Sequence, residues 1–532
     1  MPGLPISNHA TGGGLTRANN PVSYFLAILS GILLSLAFPR PNLWPLVFVA
    51  LIPLLIACRG KEPKAHFGLG YLTGLIHSSI LLYWLVKVLT FYGGLHLWLA
   101  LPAFYLLVAY VALYPAFFTL GLALSERYLK VVPSGLLWIF VGAALYTGLE
   151  YFKGIFLSGL PWEPLGAALV ARLSLVQFSD IVGTGGLTFI VVMVNLSFFS
   201  AGLRYQTKKF KAGLVPGALV VIALCGLWGY GHFRLAQVGD QIADAEKHEV
   251  AVVQGNIDQS LKWDPVHRVS ILKNYRNLTL KAAQENPWMI IWPEAATPFF
   301  FINERGETEW LRTLIKKIET PLLFGSPAYE DQGSGPKYYN RVYLIDAQGE
   351  VRGHYDKVHL VPYGEYVPFQ RFFPFLGKLT QAVGDYSEGK QGTLIDMEGE
   401  QIGVLICYES LFSALARNQV VKGANYLVNL TNDAWFGRTS APHQLLYQSA
   451  LRAVENRRTM IRAANTGISA FILPTGEIKT RLGLLKRGVI TELIPGMHEK
   501  TVYTTIGDII PQICLIVVVI VYVAGIIRRK RC

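Results

Sequence analysis

Charge is scarce in these 532 residues: Asp, Glu, Lys and Arg together make up 16% of the chain, against 52% apolar residues. An ordinary soluble domain has about 25% charged and 45 to 50% apolar residues, so neither a soluble enzyme nor a disordered chain fits. Cysteine is equally sparse. Five in 532 residues exclude a disulfide-dense scaffold. Cys58, Cys225, Cys514 and Cys532 lie in or beside apolar runs, and only Cys407 lies in a polar stretch. Several reaction signatures are also missing: there is no G-x-S-x-G elbow, no G-x-x-x-x-G-K-[ST] phosphate loop and no H-E-x-x-H zinc pair. Nothing in the sequence points to a metal or an organic cofactor.

What the chain has in abundance is long apolar runs. A bilayer core about 30 Å thick takes roughly 20 apolar residues of helix. Runs near that length centre on 23–38, 42–57, 67–91, 94–123, 134–151, 185–203 and 213–232, and an eighth at 507–527 closes the chain. The expectation is a polytopic α-helical membrane bundle of about eight spans: a tail at 1–21, a seven-span bundle over 22–235, an extramembrane domain over 240–505, the last span, and a basic tail at 528–532. Residues 162–182 carry Glu163, Arg172 and Asp180 among apolar positions at helical spacing, which predicts a helix lying in the membrane interface. No cleavage site of small residues follows the first run, which is therefore expected to be retained.

The net charge of +13 invites a nucleic-acid reading. Its distribution argues otherwise. With a cytoplasmic N-terminus, the short cytoplasmic loops and tails hold 14 Lys and Arg against Glu62 and Glu126, leaving 34 basic and 33 acidic residues elsewhere. That asymmetry is the positive-inside signature. It predicts no nucleic-acid partner and turns residues 240–505 outward, to the periplasm or its equivalent. A transporter is the rival reading. Ionisable groups within the runs are few (His77, Lys87, His96, Glu150), and most sit near predicted ends, so a membrane-embedded enzyme is preferred.

From Glu249 onward short strands alternate with helical stretches, which predicts an α/β domain. Three predicted strands end in reactive side chains: Glu294 in MIIWPEAA, Lys357 in YDKVHLVPYGEYVP and Cys407 in GVLICYES. Each alone has an ordinary explanation as a cap, a surface lysine or a packed thiol. Together they suit acyl transfer. A thiol with a pKa near 8.5 needs a base, a buried carboxylate can supply one, and a lysine with the Tyr408 backbone N–H could stabilise an oxyanion. A Cys–His pair using His359 or His443 is the alternative base scheme.

The runs WPE, DK-H-L-PYGEY-P, ICYE and NLTNDAWFG resemble the nitrilase superfamily. The wording PYGEYVP and NDAWFG, with the flanking apolar runs, narrows the resemblance to its membrane-embedded branch, the apolipoprotein N-acyltransferases. The resemblance implies a four-layer αββα sandwich with Glu294 as general base, Lys357 as oxyanion stabiliser and Cys407 as the acylated nucleophile. It further implies Glu365 as a supporting carboxylate, Tyr408 and Glu409 as residues shaping the site, and Trp263 and Trp435 at the lipid-facing mouth. The implied partners are a phospholipid acyl donor and a diacylated apolipoprotein acceptor. A hydrolase using the same triad is the second reading; a transporter or receptor with an inert domain is the third. The loop 366–381, rich in Phe and Pro and including Phe372 and Phe373, is expected to touch the membrane as a lid.

Overall fold

The computed structural model describes residues 21–128, 132–133, 135–207, 210–331, 333, 335–366 and 386–531. Phe372, Phe373 and all of the 366–381 loop except Tyr366 lie outside the described residues, as does the tail before Pro21.

Each of the eight apolar runs is helical, but in unequal lengths. Leu97–Tyr128, Ser179–Gln206 and Gly213–Asp244 are each long and apolar enough to cross a membrane. Pro63–Leu81 and Trp84–Tyr92 reach that standard only as a pair bent by 54°. Pro21–Leu36 has 16 residues, about 24 Å of helix at 1.5 Å per residue and short of the ~30 Å core. The run at 42–57 is split between Trp44–Phe48 and Ile52–Cys58, and Leu136–Ile155 is one continuous helix of 20 residues that carries Glu150 and Lys153 near its end.

The single interfacial helix expected at 162–182 is not there. That stretch forms a 3₁₀ helix at Leu165–Ala171 and one α turn at Leu173–Val176, and Trp162, Glu163 and Asp180 are all buried. The sequence spacing suggested a face turned to water. Instead Asp180 accepts from Arg234 Nε at 2.7 Å and from Arg457 Nη2 at 2.8 Å, so the segment is a joint between the helices and the α/β domain.

The α/β domain contains two six-stranded sheets. The first holds β1 (Lys247–Gln254), β2 (Met289–Ile291), β3 (Leu322–Asp331), β4 (Pro336–Ile345), β5 (Val351–Asp356) and β12 (Gly488–Pro495), in the order β12-β1-β2-β3-β4-β5. The second holds β6 (Leu394–Met397), β7 (Glu400–Ile406), β8 (Tyr426–Thr431), β9 (Thr459–Ala464), β10 (Ser469–Ile472) and β11 (Ile478–Leu482), in the order β11-β10-β9-β8-β7-β6. Parallel pairing runs through the centre of each, β1-β2-β3 and β7-β8-β9, with antiparallel strands at the rims. Strands covered on both faces read as unbroken apolar runs, which is why Met289–Ile291 and Tyr426–Thr431 are buried throughout.

The inner faces share one core. Val250, Val252, Ile291 and Leu323 of the first sheet pack with Val404, Val428, Ile461 and Phe471 of the second. Helices Pro265–Ala282 and Arg305–Ile318 cover the outer face of the first sheet through Ile271, Tyr275, Leu311 and Ile315. Helices Ser413–Lys422 and Ala441–Asn456 cover the second, completing αββα layers. This last layer does not end at solvent. Its Ala416, Leu445, Leu446 and Leu451 belong to the same apolar core as Phe38, Trp84, Trp138 and Leu187 of the helical half.

Candidate active site

The three side chains singled out at strand ends converge on one site. Glu294 leaves the buried strand β2 and is 7% exposed. Its Oε1 accepts from Asn340 Nδ2 at 2.8 Å and its Oε2 from the Asn432 backbone N–H at 2.7 Å. The next residue, Ala295, has φ +43°. The turn is held against Gly325, where a Cβ would lie 2.5 Å from the Ala295 nitrogen, so glycine permits the approach.

Lys357 follows β5 with its side chain fully enclosed. Its Nζ donates to Glu365 Oε1 at 2.8 Å, and Glu365 Oε2 is fixed by the Val361 N–H at 2.8 Å. Asn340 Nδ2 also reaches Glu365 Oε1 at 3.1 Å, so this amide bridges both carboxylates.

Cys407 sits where β7 gives way to a 3₁₀ turn, Cys407–Leu411, with φ +53°. An L-residue other than glycine is uncommon there, and such strain clusters at functional sites. The turn is clasped by Glu409. Its Oε2 accepts from the Ile406 N–H at 2.7 Å and the Tyr355 hydroxyl at 3.0 Å, and its Oε1 from the N–H groups of Val358 and His359 at 2.7 and 2.9 Å. One buried carboxylate thus ties the cysteine turn to the loop that carries Lys357. Tyr408 points to the helical half, donating to the Gly159 carbonyl at 3.1 Å.

Electrostatics give the residues different tasks. Burial pushes the Cys407 thiol up to about 12, with the Glu294 charge adding to the rise and Lys357 opposing it. The thiol is therefore protonated at neutral pH, and would have to lose its proton to act as a nucleophile. Burial also raises Glu294, with Lys357 pulling the other way, which moves it toward the range of a working base. Burial alone would lower Lys357, but Glu365 and then Glu294 overcome it and hold the ammonium above the usual lysine range. The histidines of the alternative scheme have other neighbours. His443 Nε2 is paired with Arg40 Nη2 at 2.9 Å, and His359 packs its ring on Phe412 at 3.9 Å between centroids. Among the described residues neither is hydrogen-bonded to Cys407.

The two tryptophans occupy different surroundings. Trp435 is half-buried and meets Tyr92 of the helical half, with centroids 5.0 Å apart. Trp263 is 43% exposed on the loop between β1 and helix Pro265–Ala282. Asn340, Asn432 and Asn465 are functional neighbours that sequence reasoning passed over. Asn432 was legible in NLTND directly after a strand; an amide inside the apolar strand β4 could have flagged Asn340.

Two family models match the chain: the apolipoprotein N-acyltransferase N-terminal domain over residues 30–197 and carbon-nitrogen hydrolase over residues 249–500. The apolipoprotein N-acyltransferase of Geobacter metallireducens is 36% identical over 496 residues, covering 92% of this chain and 93% of that protein. The chain belongs to the apolipoprotein N-acyltransferase family. Family membership makes it an acyltransferase and sets the helical half and the α/β half in one enzyme. Similar agreement extends to the apolipoprotein N-acyltransferase of Caulobacter vibrioides, 32% identical over 500 residues and 91% of each chain.

Proposed function

We propose that this acyltransferase moves a fatty acyl chain from a membrane phospholipid to the N-terminal amine of a diacylglyceryl-cysteine apolipoprotein, by way of a thioester on Cys407. The observation that carries the mechanism is a strained thiol under the opposed influence of Glu294 and Lys357. In the first half, Cys407 Sγ attacks the donor ester carbonyl while its proton passes to Glu294. The Lys357 ammonium and the Tyr408 N–H face the charge that develops on the carbonyl oxygen, each such donor being worth about 2.7 to 4 kcal/mol. Collapse breaks the C–O bond, and Glu294 returns the proton to the departing lysophospholipid oxygen. In the second half the acceptor amine attacks the thioester, Glu294 takes an amine proton, the C–S bond breaks and the thiolate recovers that proton. Glu365 holds Lys357 in place, and Glu409 sets the cysteine turn.

In this reading the helical half crosses the inner membrane seven times before the α/β domain and once after it, with the shorter helices packed among the long ones. The domain faces the periplasm. The cationic short loops support that orientation. Trp263 and Trp435 flank the entry for both lipids, whose chains stay in the bilayer; extracting them would cost about 0.8 kcal/mol per methylene.

Intact-protein mass measurement tests the scheme. Incubation with phospholipid is expected to add one fatty acyl mass, which disappears when a diacylated lipopeptide is supplied. An adduct that persists in Cys407→Ala, or its absence from the wild type, would refute the mechanism. Glu294→Gln is expected to lose adduct formation as well.

A further inference from the structure

A second lysine stands at the site without a partner. Lys262 is 2% exposed, yet among the described residues its ammonium donates no hydrogen bond; its Nζ lies 5.9 Å from the centroid of the Trp263 ring. It and Glu294 act on each other electrostatically, each favouring the charged form of the other. Burying an ammonium without an acceptor is unfavourable. The chain nonetheless fastens the loop that carries it. Asn465 grips Ile257 from both sides, accepting from its N–H at 2.9 Å and donating to its carbonyl at 2.8 Å. Asn432 Nδ2 donates to Gln259 Oε1 at 2.6 Å, while the Asn432 N–H holds Glu294.

The charge count of the site shows what the lysine is for. The charged groups acting on Glu294 are Lys357, Glu365 and Lys262. Lys357 is committed to Glu365. Without Lys262 two carboxylates would face one ammonium, and an anionic donor would enter against a net negative site. With it those two carboxylates face two ammoniums, and among the described residues the second ammonium donates no hydrogen bond. Burial draws Lys262 down to about 8, so it still carries its proton at neutral pH.

We propose that Lys262 is the binding residue for the anionic phosphodiester of the acyl donor, holding the phosphate one glycerol unit away from the ester that Cys407 attacks. This rests on the acyltransfer reading above. It makes Lys262 a specificity residue for the donor half-reaction.

The test compares two donors with the same acyl chains in the same detergent micelles: phosphatidylmethanol, an anionic phosphodiester, and its methyl phosphotriester, which is uncharged. Rates of Cys407 acylation are followed by intact mass. The wild type is expected to favour the diester by about tenfold or more, the worth of a charge-assisted hydrogen bond. Lys262→Gln should lose that preference, its diester rate falling about tenfold further than its triester rate, and Lys262→Arg should keep the preference. A wild type that treats the two donors alike, or a Lys262→Gln enzyme that still prefers the diester, overturns the assignment. Equal loss on both donors also overturns it, because Lys262 would then act only on Glu294. The wild-type and Lys262→Arg comparisons stand even if Lys262→Gln does not fold. A wild type acylated by neither donor removes the acyltransfer reading itself.

Discussion

Asn340 holds both carboxylates of the site with one amide nitrogen, at 2.8 Å to Glu294 and 3.1 Å to Glu365. Its hydrogen bond favours the charged form of Glu294, opposing the rise that burial imposes. In the proposed mechanism Glu294 works only when ionised, so acylation of Cys407 is expected to fall as pH drops through its raised pKa, above the usual carboxylate value of about 4.3. Asn340→Ala removes a term that lowers this pKa, so the acid limb should move to higher pH, which a pH–rate profile of adduct formation reads directly. An unmoved limb would detach Asn340 from the base. At this scale the sequence singled out Glu294, Lys357 and Cys407, because Glu, Lys and Cys after apolar strands are chemically conspicuous. It did not yield the amides. Asn340 and Asn432 matter through the direction of one N–H each, and residue type alone carries no direction. Lys262 was equally hidden, since SLKWD reads as an ordinary turn until its burial is seen.

Glu409 belongs to the scale of elements, because it joins the end of β7 to the loop after β5. It accepts four hydrogen bonds from Ile406, Tyr355, Val358 and His359. Leaving buried donors unmet costs about 1 to 3 kcal/mol each, so Glu409→Ala should lower the thermal midpoint and slow acylation together. Lost activity with an unchanged midpoint would point instead to direct contact with substrate. The elements that frame the site were legible where both faces are covered: β2, β7 and β8 carry the apolar stretches MII, IGVLI and YLV. The misses lie where that signal fades. Strand β11 alternates exposed and half-buried positions and includes Lys479 and Arg481, β12 is mostly half-buried and includes Glu492, and the short rim strand β6 is only four residues long. Helix Ser413–Lys422 has little apolar periodicity because one face packs on β7 and the other on the joint with the helical half.

Across the whole molecule the two halves are joined by buried charge as well as by apolar packing. Asp180 meets Arg457 and Arg234, while Tyr230 donates to its other oxygen at 2.7 Å. Removing one member of a buried pair costs about 3 to 5 kcal/mol, and exposed pairs are worth about 1 kcal/mol or less. Asp180→Ala should therefore lower thermal stability severely, and Arg234→Ala, whose partner is left with Arg457, much less. Equal losses would show that Arg457 alone does not hold the carboxylate. This joint escaped sequence reasoning because a carboxylate among apolar residues looks the same whether it faces water or a distant arginine. The continuous core has a practical outcome for anyone wishing to shorten the protein. The change in composition near Glu249 looks like a place to cut, but no seam exists there. A fragment spanning only the α/β half would turn Ala441, Leu445 and Leu446 toward water, and is expected to precipitate unless amphiphiles take over the lost face.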